Sequence, residues 1–171
     1  VKTPRPAAPA ALSPTATAIR QTRPFRTPSA EAVVALLLAA EALRNRLTDV
    51  FAAHEELTPQ QYNVLRILRG AGEAGLPTLE IVERMIERTP GVTRLLDRLE
   101  DKGLVRRERP ADDRRRVVAR ATPRALALLK RLDPVVDAVD AQACAGLSAA
   151  ECAAFVDSLV RVRERLADPA G

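Results

Sequence analysis

The feature that most constrains this chain is an amphipathic helix that runs directly into an arginine-rich hairpin. Val92, Leu95, Leu96 and Leu99 fall on one helical face, and Gly103 follows, where a left-handed C-cap costs glycine little. Leu104-Val105 opens a strand and Val117-Val118 marks its return. The stretch from Arg106 to Thr122 reads RRERPADDRRRVVARAT, so Arg107, Arg109, Arg114, Arg115, Arg116 and Arg120 converge on one hairpin. A helix followed by a basic hairpin suits a DNA duplex. The helix enters the major groove, and the hairpin lies along the backbone or the minor groove. The expected fold is therefore mainly α with a small β-wing: a winged helix-turn-helix.

Charge is segregated along the chain. The net charge is +5, and residues 1–28 carry Lys2, Arg5, Arg20, Arg23 and Arg26 with no acid. The remaining 22 basic residues balance 22 acidic ones. Within that neutral body, residues 105–124 hold eight arginines against Glu108, Asp112 and Asp113. Such segregation presents one face to a polyanion. The bland alternative, arginines that merely sit in solvent, stands beside it. Only four residues are aromatic, Phe25, Phe51, Phe155 and Tyr62, which argues against stacking platforms for single strands or RNA. Cys144 and Cys152 make neither a disulfide framework nor a zinc pattern. The apolar run 32–40 is too short to span a bilayer, and no apolar leader is visible. The expected compartment is the bacterial cytoplasm.

Residues 1–28 hold six of the thirteen prolines, and this basic segment is expected to be mostly disordered. Thr27-Pro28 opens a helix over 29–56, striped by Val33, Leu36, Ala40, Leu43, Leu47, Val50 and His54. Thr58-Pro59 opens the next, with Tyr62, Val64, Leu65, Ile67 and Leu68. Thr78 is expected to cap a short helix over 79–85, and Thr89-Pro90 to open the recognition helix. Thr122-Pro123 opens a long helix striped by Leu128, Leu132, Val135 and Val139, in which Pro134 is expected to kink the helix or interrupt a hydrogen bond. Ser148 and Glu151 form a capping box for a last helix carrying Cys152, Phe155, Leu159, Val162 and Leu166. A winged helix over 57–122 is thus flanked by 29–56 and 123–168. Three seam-like stripes exceed what a small module needs to cover itself, so these helices are expected to form a homodimer interface, matching a two-fold symmetric inverted-repeat operator.

LTPQQYNVLRIL, and VTRLLDRLEDKGLVRRERPADDRRR with its Asp113-x-Arg115 motif, resemble the MarR family of bacterial transcriptional regulators. The family's Leu-Thr after the wing falls on Ala121 and Thr122. The likeness extends over roughly 31–166. One departure precedes the recognition helix, where Ile86, Glu87 and Arg88 replace Gly, an apolar residue and a Ser cap. Thr89 is then expected to cap and Ile86 to be buried. The resemblance implies DNA binding without enzymatic activity or cofactor. It assigns Arg115 to the minor groove and Asp113 to steadying the tip, as does the enhanced negative potential of a narrow minor groove.

On a helical wheel Pro90, Arg94, Asp97, Arg98 and Asp101 point outward, with Gly91 and Thr93 at the margins. Arg94 suits bidentate readout of guanine or, equally, a phosphate contact. Asp97 and Asp101 are expected to orient Arg94 and Arg98. Arg107, Arg109, Arg114 and Arg116 are expected on phosphates. Thr89, Pro90 and Gly91 complete the candidate DNA contacts. The family often binds small aromatic or phenolic anions between its dimerisation helices and its winged helix, so the resemblance points to His54 and Tyr62 as cleft residues. A lone His is also readily just exposed or satisfied in a core. Three functions compete: a homodimeric repressor released by a ligand, a winged-helix protein–protein adaptor, and an enzyme. The enzyme lacks any catalytic constellation, since the chain has one His and neither a glycine-rich phosphate loop nor a metal-ligand cluster. Steep salt dependence of duplex binding separates the first two.

Overall fold

The computed structural model describes residues 11–54, 57–87, 91–109 and 117–167. The chain divides between Arg46 and Leu47 into two units. The first unit holds helix α1 (Pro14–Ala18) and most of helix α2 (Pro28–Ala52). Of the segment 1–28, expected to be mostly disordered, residues 1–10 lie outside the described residues, and over 11–28 the chain holds this short helix. Ser13 caps α1 by accepting from the Ala16 amide at 3.2 Å, and Ala16 is fully buried. The α2 start is as read: the Thr27 hydroxyl accepts from the Ala30 amide at 3.1 Å, with Pro28 as the first helical residue.

The second unit begins with the last turns of α2. It continues through α3 (Pro59–Ala71), a 3₁₀ turn (Gly72–Ala74), strand β1 (Leu76–Pro77) and α4 (Thr78–Arg84). Then follow α5 (Val92–Asp101), β2 (Val105–Glu108), β3 (Val118–Ala121), α6 (Pro123–Ala143) and α7 (Ala149–Ala167). The sheet order is β1-β3-β2, antiparallel throughout. Val105 faces Ala121, Arg106 faces Arg120 and Glu108 faces Val118.

Local chemistry sets the boundaries. Thr58 and Gln61 form a reciprocal capping box at α3. Ser148 and Glu151 do the same at α7. Thr78 is the first residue of α4 rather than its cap, and Pro77 occupies the cap position without a side-chain hydrogen bond.

One core joins these elements. Val50 and Phe51 of α2, Val64, Leu65 and Leu68 of α3, and Ile81 of α4 meet Leu96 and Leu99 of α5 in it. Leu104, Val105 and Ala119 bring in the sheet. The stripe of α6, Ala125, Leu128, Leu129, Leu132, Val136 and Val139, lies in the same core. That corrects the reading of this stripe as a seam held for a partner: α6 spends it on its own chain. Pro134 does not break α6, which runs unbroken to Ala143. The residue before it, Asp133, accepts from Arg69 of α3 at 2.9 and 3.0 Å and ties the two helices together. By contrast α7 buries no side chain, and Phe155, Val156, Val162 and Leu166 are exposed. Val33, Leu37, Leu38 and Leu43 of α2 are exposed likewise.

Candidate nucleic-acid interface

The recognition helix α5 is held by packing. Val92, Leu96 and Leu99 are buried on its inner face, and burial of each large apolar side chain contributes about 1.5–3 kcal/mol. Its opposite face carries Thr93, Arg94, Arg98 and Asp101, all exposed. The helix starts two residues later than read from Thr89-Pro90. Gly91 takes the N-cap at φ +102°, and its carbonyl accepts from the Leu95 amide at 3.1 Å. Glycine supplies that left-handed backbone without a Cβ clash. Thr89, expected as the cap, lies with Pro90 outside the described residues. Ile86 is 87% exposed, which overturns the expectation that it is buried; Met85, at 5%, fills that role. The Ile86 amide is anchored instead, donating to Asn63 Oδ1 at 3.2 Å.

The other end of α5 closes with two reversed hydrogen bonds. The Gly103 amide donates to Glu100 O at 2.8 Å and the Leu104 amide to Leu99 O at 2.9 Å, with Gly103 at φ +66°. This sharp turn brings β2 back alongside the helix it has just left. Thr122 closes the circuit at the wing's exit. Its amide donates to Leu104 O at 3.0 Å, its hydroxyl donates to Gly103 O at 2.8 Å, and the same oxygen accepts from the Ala125 amide at 3.2 Å.

The arginines of the wing strands are occupied within the chain. Arg107 donates from Nε and Nη2 to Glu100 Oε2 at 2.8 and 2.6 Å, and its amide donates to Glu100 Oε1 at 3.0 Å. Nη2 also lies 2.6 Å from Asp97 Oδ1. The Arg107 hydrogen bonds hold the Glu100 carboxyl below its ordinary range, and Glu100 in turn raises Arg107. Asp97, expected to orient Arg94 and Arg98, thus serves Arg107. Arg106 and Arg120 stand directly opposite each other, a like-charge pairing that costs stability. Glu108 offsets it, with Oε1 at 2.8 Å from Arg106 and Oε2 at 2.6 Å from Arg120. Arg120 also donates to Glu73 O at 2.6 Å. Arg109 is exposed just after β2, while Asp113, Arg114, Arg115 and Arg116 lie outside the described residues.

His54 and Tyr62 both sit at the α2–α3 junction. Tyr62 is only 7% exposed and stacks on Phe51, centroids 4.3 Å apart at 27°. The Arg66 guanidinium lies 5.9 Å from its centroid. Burial pushes the Tyr62 phenol up, and Arg66 pulls part of the way back. His54 Nδ1 is 2.8 Å from Val50 O, so one ring nitrogen is committed to its own helix. Cys144 and Cys152 are free thiols. Desolvation and the neighbouring Cys152 push Cys144 up, which lowers its thiolate fraction and its reactivity. Among the described residues no cluster is arranged to hold a metal ion, and no helix is long and apolar enough to cross a membrane.

Three features define the class: a helix-turn-helix (α4–α5) on α3, a three-stranded sheet with its wing, and an exposed polar recognition face. This is a winged helix-turn-helix DNA-binding protein. The MarR family model matches residues 57–117. The transcriptional regulator HosA of Escherichia coli O127:H6 is 33% identical over 132 residues, 70% of this chain and 96% of HosA. A MarR transcription factor from Planctomyces limnophilus is 34% identical with TM-score 0.61, the match covering 82% of this chain and 98% of that one. PcaV of Streptomyces coelicolor, solved in complex with its natural ligand, is 29% identical with TM-score 0.65, over 81% and 93%. The chain belongs to the MarR family of transcriptional regulators, which are not enzymes.

Proposed function

We propose that this chain is a homodimeric, sequence-specific repressor whose operator binding is relieved by a small aromatic or phenolic anion. The observation that carries the DNA reading is the division of α5. One face is locked into the core, and the other presents Thr93, Arg94 and Arg98 beside the wing. Arg94 reads a base or grips a phosphate, Arg98 and Arg109 add phosphate contacts, and Arg115 takes the minor groove. The exposed apolar faces of α2 and α7 support the dimer, because each faces water along several turns in a single copy. The ligand reading rests on PcaV, solved with its natural ligand, and on the aromatic junction of α2 and α3.

Selection from random duplexes tests the first part. The expected product is an inverted repeat with half-sites about one turn apart, ~34–36 Å, bound with steep salt dependence. Salt-insensitive binding without enrichment would move the reading to a protein–protein adaptor. A panel of hydroxybenzoates tests the second part: relief of operator binding is expected, with Tyr62→Phe weakening the response more than it weakens DNA binding. A panel that neither releases DNA nor shifts the melting temperature ends the ligand reading.

A further inference from the structure

Of the arginines read from the sequence as phosphate contacts, Arg107 and Arg109 are among the described residues, and the surroundings of Arg107 speak against that role. Its guanidinium and its amide together make three hydrogen bonds to one carboxylate, and a second carboxylate closes on Nη2. Its side chain is 24% exposed, whereas that of its neighbour Arg106 is 65% exposed. Glu100 and Asp97 lie on the recognition helix, Arg107 on the first wing strand. Only the tight turn at Gly103 separates the two elements. The charge of Arg107 is therefore met inside the protein. Turning it toward a phosphate would strand two carboxylates next to a polyanion.

We infer that Arg107 is a positioning residue: with Glu100 and Asp97 it clamps the first wing strand to the recognition helix, so that helix and wing meet the duplex as one rigid piece. This rests on the DNA-binding reading above. The clamp fixes the distance between what the helix reads in the major groove and what the wing reaches beyond it. Without it each part must be ordered on the DNA at the expense of affinity.

The sign of one substitution separates this from simple electrostatics. Glu100→Ala removes a negative charge from a DNA-facing helix. If Glu100 only repelled DNA, binding would tighten; the clamp predicts weakening by about threefold to tenfold, the range for a partly exposed charged hydrogen-bond pair. Arg107→Gln is expected to weaken binding by a similar factor while the slope of log K against log salt stays at the wild-type value. A phosphate contact would instead lower that slope by about 0.9. Arg107→Lys keeps the charge but cannot reproduce the fork to Glu100, and it should also lose affinity. The double variant Glu100→Ala/Arg107→Gln should bind no worse than either single one. Tighter binding by Glu100→Ala, a slope reduced by about one in Arg107→Gln, or wild-type affinity in Arg107→Lys would each overturn the inference. If wild-type protein binds no duplex, the DNA reading fails separately. The clamp is then scored by the same cycle in thermal melting, where additive effects would refute it.

Discussion

The hydroxyl of Thr122 makes two hydrogen bonds, and replacing it with a methyl removes both. It accepts from the Ala125 amide at 3.2 Å as the cap of α6, and it donates to the Gly103 carbonyl at 2.8 Å at the end of the recognition helix. Thr122→Val keeps the β-branched shape and the extended backbone the cap position needs. Loss of a threonine cap costs about 1 kcal/mol. The bond to Gly103 adds about 0.5 kcal/mol, the low end for a neutral pair, since that carbonyl is exposed and regains water. A loss of ~1.5 kcal/mol lowers the melting temperature by about 3–6 °C in a chain of this size. Differential scanning calorimetry or circular dichroism melting would read it. Thr122→Ser should recover most of the loss, because it restores the oxygen. Thr122→Val melting within about 1 °C of wild type would refute the dual role. It would mean that the backbone bond from the Thr122 amide to Leu104 O holds the junction unaided.

The exposed face of α7 should govern assembly: Phe155→Asp with Val162→Asp, both at exposed positions, should convert a micromolar dimer to monomer by sedimentation velocity, and an unchanged sedimentation coefficient would remove α7 from the interface. Acid should loosen the clamp. Glu100 has a folded value below its unfolded one, so its contribution is complete above the ordinary carboxylate range and is lost as pH falls through the lowered value. Wild-type melting should therefore fall on acidification more steeply than that of Glu100→Ala, and parallel curves would show that the pair contributes nothing measurable.

Periodicity and punctuation made most of the fold readable. Threonine or serine followed by proline or by a glutamate at the third position marked α2, α3, α6 and α7, because a cap is a local event decided by three or four neighbouring residues. The helix with its wing was readable because Gly103 forces the return and the strands that follow are short and apolar at their starts. What failed was non-local. Whether the α6 stripe faces its own chain or a partner depends on what α3 and the sheet leave uncovered, and no spacing states that. Ile86 looks like a core residue in sequence, yet its turn points it outward while Met85 is buried. Counting arginines overstated the charge offered to DNA, since the carboxylates of Asp97, Glu100 and Glu108 engage Arg106, Arg107 and Arg120 inside the fold. One signal was available: Glu100 and Arg107 stand at about equal steps on either side of a tight glycine turn.

The stack of Phe51 on Tyr62 also equips this protein optically. The chain has a single tyrosine and no tryptophan, so ultraviolet emission comes from one ring. That ring is buried where α2 enters the second unit, 4.3 Å from a phenylalanine and beneath a guanidinium. Excited at the red edge, where phenylalanine does not absorb, its emission therefore reports on one joint of the molecule without a label. A small molecule that opens or tightens this joint will change that signal, whether or not it touches DNA. Loss of DNA binding with a silent tyrosine would place the action of that molecule elsewhere in the fold.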